Sequence, residues 1–429
     1  MSVLLLVTIL FATLFVLLLL GVPIAVSLGL SSLLFIAIFT DDSTIVVAQK
    51  IFSTMEHTTL LAIPFFILSS HFLTTGGVSK RLVEFARATV GWMTGGLAMA
   101  GVLSCMLFAA ISGSSPATVV GIGSIMIPGM IAAGYDKRFA VGVIATSGSM
   151  GILIPPSIPM IVYADAVEES VGKMFIAGIL PGIMMGLFLM TATWIAAKKK
   201  KMPHEEWGGF LNIWHTFRRA FWGLLLIIIV VGGIYAGVFT PTEAASVAAV
   251  YSAAIALFIH RDMTFKEVPK VFLESAKMTS VLLFIIACAI VFAHTLTEAR
   301  IPQTMTEMVL ELDPSPWTFL LIVNTVLWFA GDFMEPSSVL LILAPLFHPI
   351  ALELGIDPIH LGIIMTTNME VGMITPPVGL NLYVAAGLTG MSLGAVTRAA
   401  LPWMGVLILA LLVITYVPWL SLALVSVLF

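Results

Sequence analysis

Long apolar runs recur along the whole of this sequence, at residues 3–20, 224–235, 281–293 and 406–424 among others. Several approach the roughly 20 residues that span the hydrocarbon of a bilayer. Only 10% of the 429 residues are charged, where a soluble domain carries about 25%, so a water-soluble fold of this composition has no surface to offer. In lipid every backbone N–H and C=O must be satisfied within the chain, which leaves helices or a closed barrel. The runs lack the period-two alternation of barrel strands. An all-α polytopic membrane protein is therefore expected.

The first run is read as a retained membrane helix rather than a signal peptide. No Lys or Arg precedes it, and a second run at 24–39 follows almost at once. Cys105 and Cys288 both sit inside apolar segments, where they serve as small hydrophobic side chains and imply no disulfide. The net charge of −4 is small, and no basic stripe interleaved with aromatics points to nucleic acid.

A shift of 221 residues aligns the two halves without gaps. Pro128 meets Pro349, Gly134 meets Gly355, Asp136 meets Asp357, and Thr146 meets Thr367. Gly151 then meets Gly372, Pro155-Pro156 meets Pro376-Pro377, and Pro181 meets Pro402. Chance alignment of two apolar sequences matches abundant Leu, Ile, Val and Ala. Here the matches fall on Gly, Pro and Asp, so the duplication is taken as real.

Positive charge favours the cytoplasmic ends of membrane helices, and the halves give opposite answers. The link at 77–90 carries Lys80, Arg81 and Arg87, while its counterpart at 301–316 has Glu307, Glu311 and Asp313 and no cation. Lys137 and Arg138 correspond to Pro358 and Ile359, and Lys198 to Lys201 correspond to an uncharged tail. The repeat is therefore expected to be inverted. Residues 198–219 and 261–277 hold ten of the nineteen Lys and Arg and should face the cytoplasm. They flank two helices near 221–239 and 242–259, whose outer turn Thr240-Pro241-Thr242-Glu243 has the form of a capping box, which makes Glu243 structural. Residues 207–219 mix aromatics with His215, Arg218 and Arg219 and read as a surface-lying amphipathic helix.

Transporters built from inverted repeats tend to bind their cargo at helices broken by Gly, Pro and small polar residues. Two such breaks match: residues 151–157 with Pro155-Pro156, and residues 372–378 with Pro376-Pro377. Consecutive prolines remove two amide donors, and the unpaired carbonyls near the break suit a hard cation such as sodium. Gly151, Ile154, Pro156, Gly372, Thr375 and Val378 become candidate ligands. A simple proline kink is the plain alternative.

A second matched pair, 112–118 (SGSSPAT) and 331–338, separates short apolar arms and suits a re-entrant hairpin with a polar tip. Ser112, Ser114 and Ser115 can coordinate a cation or hydrogen-bond near a ligand; helix packing through serine is the alternative. Glu370, Asp332 and Glu335 lie in or beside apolar stretches, where an acid costs about 2.5–3.5 kcal/mol unless paired or hydrated. There is no HExxH and no dinucleotide fingerprint, so an enzyme has little support.

Four segments carry a family resemblance: AISGSSPATVVG (110–121), SGSMGILIPPSIPMIVY (147–163), FTPTEAA (239–245) and GIDPIHLGIIMTTNMEVGMITPPVGLNLY (355–383). With these, essentially the whole chain resembles the large, DctM-like membrane subunit of tripartite ATP-independent periplasmic (TRAP) transporters. The resemblance implies an elevator-type transporter with two sodium sites, one using Ser112 or Ser114 with Gly151, Ile154 and Pro156, the other using Gly331, Gly372, Thr375 and Val378. It implies a small, DctQ-like membrane subunit and a periplasmic substrate-binding protein as partners, in a bacterial inner membrane. The substrate class it implies is an organic acid, a C4-dicarboxylate or sialic acid. Ser115, Thr118, Asn368, Glu370 and Asn381 are the candidate substrate-binding residues.

The expected organisation is N-terminal scaffold helices (1–57), a first repeat (58–197), a cytoplasmic link with scaffold helices (198–279), and a second repeat (280–429). A stand-alone sodium/dicarboxylate symporter is the alternative transporter. A membrane scaffold or intramembrane enzyme is the alternative of another class.

Overall fold

The computed structural model describes residues 3–40 and 45–429, and all regular structure among them is helical. The chain opens with α1 (Val3–Leu19), α2 (Ile24–Phe39) and α3 (Ile45–Met55). The first repeat contains α4 (Ala62–Thr75), α5 (Val78–Val90), α6 (Gly96–Ser112), α7 (Ser115–Ala132), α8 (Lys137–Ser147), α9 (Ile158–Ala166) and α10 (Val171–Lys199). Then come α11 (Gly209–Ile227), α12 (Gly233–Tyr235) and α13 (Pro241–Ala254). The second repeat contains α14 (Val268–Glu298), α15 (Ile301–Glu311), α16 (Pro316–Gly331), α17 (Pro336–Glu353), α18 (Pro358–Gly372), α19 (Leu380–Thr389) and α20 (Leu393–Tyr416), and α21 (Trp419–Leu428) ends the chain. Seven helices among the described residues are long and apolar enough to cross a bilayer. The pair α4 and α5 qualifies as an eighth, bent by 68° at Gly76-Gly77.

The repeat carries through to the elements. α7 and α17 are each 18 residues long and start at Ser115 and Pro336, 221 residues apart; α8 and α18 start at Lys137 and Pro358, the same distance apart. The matched punctuation residues have matched jobs. Gly134 and Gly355 turn the chain in the left-handed region, at φ +87° and +70°, where a Cβ is disfavoured. Asp136 and Asp357 are N-caps: the Asp136 carboxylate accepts from the Phe139 N–H at 3.0 Å, and that of Asp357 from the Ile359 N–H at 2.8 Å. Both Pro-Pro bonds are cis.

Residues 207–219 do not form the separate surface helix that their composition suggests. Helix begins at Gly209 and continues without interruption through Arg218 and Arg219 into the apolar stretch, because no Gly or Pro separates the two parts before Gly223. A π-type turn at Ile228–Gly232 carries it on to Tyr235. α11 packs along α5, with Arg219 and Glu84 paired at 2.8 Å and Arg87 paired with Glu205. The capping box at the start of α13 is present in both halves: Thr240 Oγ1 accepts from the Glu243 N–H at 3.3 Å, and the Glu243 carboxylate accepts from the Thr240 N–H at 2.8 Å. Glu243 is spent on holding that turn.

Two packed groups result. α4 lies against α13 and α14, and α14 also against α2 and α3. The second group interlocks the repeats: α9 packs on α17, α19 on α7, α8 on α20 and α10 on α18. Buried Tyr163 of α9 donates its hydroxyl to the Pro358 carbonyl at the start of α18, at 2.7 Å.

Candidate functional site

Each repeat brings a hairpin tip against a helix break. In the first, α6 ends at Ser112, Gly113 turns the chain at φ +62°, and Ser114 restarts it in an extended conformation before α7. The tip is tied internally: the Thr118 hydroxyl donates to the Ser114 carbonyl at 2.9 Å, and Ser112 Oγ lies 2.9 Å from Thr118 Oγ1. The matching break starts earlier than its prolines. α8 gives way to a 3-10 turn at Gly148–Ile152, and regular helix resumes only at Ile158, capped by Ser157. Ser157 Oγ also donates to the Ile152 carbonyl across the break.

Tip and break touch through glycines. A Cβ on Gly151 meets the Ser114 carbonyl oxygen at 2.6 Å and Thr118 Oγ1 at 2.8 Å; one on Gly113 meets the Pro156 carbonyl oxygen at 2.8 Å. No residue but glycine fits either position without moving backbone. The Ile158 N–H reaches back to the Gly113 carbonyl at 3.5 Å.

The second junction repeats the plan with different residues. A Cβ on Gly372 meets the Gly331 carbonyl oxygen at 3.0 Å, and the Val378 N–H donates to the Asp332 carbonyl at 3.1 Å. The Thr375 hydroxyl donates to Val371 O at 2.7 Å and accepts from Trp328 Nε1 at 3.3 Å. Glu335 caps α17, accepting from the Ser338 N–H at 3.2 Å and from Ser337 Oγ at 2.9 Å. Of the residues expected around two sodium ions, Ser114, Gly151 and Pro156 thus lie at the first junction and Gly331, Gly372 and Val378 at the second.

The five candidate substrate residues divide differently. Ser115 and Asn381, from opposite repeats, meet: Asn381 Nδ2 donates to Ser115 Oγ at 2.8 Å, and Ser115 Oγ donates to the Gly148 carbonyl at 3.0 Å. Asn368 instead donates to Asn324 Oδ1 and to its carbonyl, both at 2.9 Å, and Asn324 donates on to Thr415 at 2.9 Å. Thr118 belongs to the first tip. Glu370 is fully buried, and neither carboxylate oxygen has a hydrogen-bond partner among the described residues. Also buried and unpartnered there are Thr146 Oγ1, Ser147 Oγ, Asn368 Oδ1 and Asn381 Oδ1. An unpaired buried polar group costs about 1–3 kcal/mol, so oxygens left open on both broken helices suit a cargo that arrives with its own positive charge or donors.

A cavity of about 240 Å³ opens beside the first tip. Ser112, Ser114 and Pro116 line one wall; Ser70, His71 and Thr74 of α4 line the other. None of the five candidate substrate residues lines it, because Ser115, Thr118 and Asn381 are engaged in the contacts just described. Asn324, Trp328 and His71 had not stood out in the sequence. A polar residue inside an apolar run, as Asn324 is within residues 319–329, was the available signal.

The profile described as "Tripartite ATP-independent periplasmic transporter, DctM component" matches residues 11–420. The chain belongs to the DctM family. It is 60% identical to the C4-dicarboxylate TRAP transporter large permease protein DctM of Pseudomonas aeruginosa, over 93% of each chain. The protein of the same description from Vibrio cholerae is 54% identical, over 94% of this chain and 93% of that one. The sialic acid TRAP transporter permease protein SiaT of Haemophilus influenzae is 33% identical over 93% of this chain and 65% of its own. Among solved structures the YdaH transporter of Alcanivorax borkumensis superposes with a TM-score of 0.61 over 88% of both chains, at 16% identity, a likeness of fold alone. Membership of the DctM family makes the chain a multi-pass membrane transporter subunit rather than an enzyme, within a system of several components.

Proposed function

We propose that this DctM-family chain carries an organic acid inward across the inner membrane, driven by sodium, after a periplasmic binding protein delivers it and with a small DctQ-like subunit alongside. The observation that carries the reading is the pair of tip-to-break junctions, where glycine contacts bring main-chain carbonyls and serine or threonine hydroxyls together at buried positions. Hard cations take such oxygens, and a monovalent cation beside a helix N-terminus prepares a place for a carboxylate. One sodium ion takes oxygens from Ser112 or Ser114 with Gly151, Ile154 and Pro156. The other takes Gly331, Gly372, Thr375 and Val378.

The substrate class comes from kinship: a C4-dicarboxylate is the reading that the nearer relatives' names support, with sialic acid as the alternative. With sodium bound, Ser115, Thr118, Asn368, Glu370 and Asn381 supply polar groups around the carboxylate as the tips part. The interlocked hairpins and broken helices move together against α2, α4, α13 and α14, in the manner of an elevator.

Uptake of labelled succinate and sialic acid into proteoliposomes tests this, with the small subunit included and the binding protein and an inward sodium gradient added or withheld. Accumulation of one acid only when both are present is the expected result. Equal uptake without sodium on either side sinks the coupling, and uptake without the binding protein favours the stand-alone symporter.

A further inference from the structure

The wall of the cavity opposite the first hairpin tip contains one group that can carry positive charge, His71 of α4; no Lys or Arg lines this cavity. The ring is held in a fixed orientation. Its Nδ1 lies 3.1 Å from the Ile67 carbonyl and 3.0 Å from Ser275 Oγ of α14. A carbonyl only accepts, so Nδ1 bears the hydrogen. Ser275 directs its own hydroxyl to the Val271 carbonyl at 2.8 Å, which leaves its lone pairs for the ring. Nε2 is then the ring atom available to the cavity, and among the described residues it has no partner.

The other charged groups do not answer to His71. On helices packed against α4, Glu274 pairs with Lys277 at 3.0 Å, Glu84 with Arg219, Arg87 with Glu205, and Arg81 with Asp262. Lys80, Lys270, Glu243, His294 and Glu298 complete that set, and no ion pair among the described residues includes His71.

From this geometry we propose that His71 is a substrate-binding residue: its Nε2 holds a carboxylate of the transported acid from the α4 side, facing the serines of the hairpin tip. The inference rests on the transport reading above and deepens it. A dianion entering a low-dielectric cleft needs positive charge on both sides. Sodium at the tip supplies one; with Nε2 protonated as well as Nδ1, His71 supplies the other through a charge-assisted N–H···O hydrogen bond. α4 packs chiefly with α13 and α14 and more lightly with α6 of the hairpin, so the contact depends on the tip standing beside α4.

The test uses the chain with its small subunit in nanodiscs, with labelled succinate and sialic acid as probes at saturating sodium. Thermal shift with sodium alone reports the ion sites and the fold. His71→Phe is expected to weaken binding of whichever acid the unmodified protein binds by about tenfold to a hundredfold, with the sodium response unchanged. His71→Gln keeps a donor without charge and loses less. If His71→Phe also loses the sodium response, His71→Gln and Ser275→Ala carry the test, the latter releasing the ring from α14 and weakening the acid modestly. Unchanged acid affinity in His71→Gln and Ser275→Ala, or in His71→Phe with its sodium response intact, overturns the role of His71 alone. An unmodified protein that binds neither acid overturns the transport reading and this inference with it.

Discussion

Gly151→Ala is expected to cut sodium-dependent uptake by about tenfold or more. The added Cβ falls 2.6 Å from the Ser114 carbonyl oxygen, and that neighbour is main chain, which cannot swing aside as a long side chain does. Overfilling a packed site costs about 1–3 kcal/mol, and here the displaced group is one of the oxygens offered to the ion. The sodium concentration for half-maximal uptake should rise along with the loss of rate. Gly129→Ala is the control: it lies in α7 with nothing within 4 Å of the added atom, and uptake should stay near that of the unmodified protein. Equal sodium titrations for both variants would remove the first tip-to-break junction from the coupling mechanism.

The second large effect is expected at Asn381. Asn381→Asp keeps the shape and loses the donor that reaches Ser115 Oγ at 2.8 Å. It also sets a carboxylate at a fully buried position, at a cost that exceeds the bond itself. Ser115→Ala removes the other partner and leaves the Gly148 carbonyl without its 3.0 Å donor. For the pair Asn381→Leu and Ser115→Ala, uptake should fall sharply in each single variant, and the double variant should be no worse than the poorer single one. Coupling of about 1 kcal/mol or more is expected for a shared buried bond. Strict additivity would mean that the two residues act independently and that the bond across the repeats contributes nothing to transport.

Much of this architecture was legible because the repeat is written in residues whose backbone demands are specific. Gly134 and Gly355 take positive φ, Asp136 and Asp357 cap helices, and the two Pro-Pro pairs sit at the breaks; each such residue carries its conformation with it. That the tips would meet the breaks came from the family resemblance rather than from the residues themselves. What could not be read was the choice of partner. Asn368 has no local signal pointing to Asn324, 44 residues away on α16, and His71 looks like any polar residue in an apolar run until Ser275, 204 residues on, is found beside it. Composition likewise marked residues 207–219 as amphipathic without saying that the helix runs on into the next apolar stretch. Such pairings are properties of packing between distant helices, and periodicity within a single helix carries no record of them.

The ties between tip and break have a further consequence. The Val378 N–H bond to the Asp332 carbonyl, like that from Ile158 to Gly113, belongs to the main chain, so exchanging the side chains at either end does not delete it. An alanine scan passes over these ties in silence. Replacing the amide linkage itself by an ester, with every side chain kept, is the kind of change that addresses them.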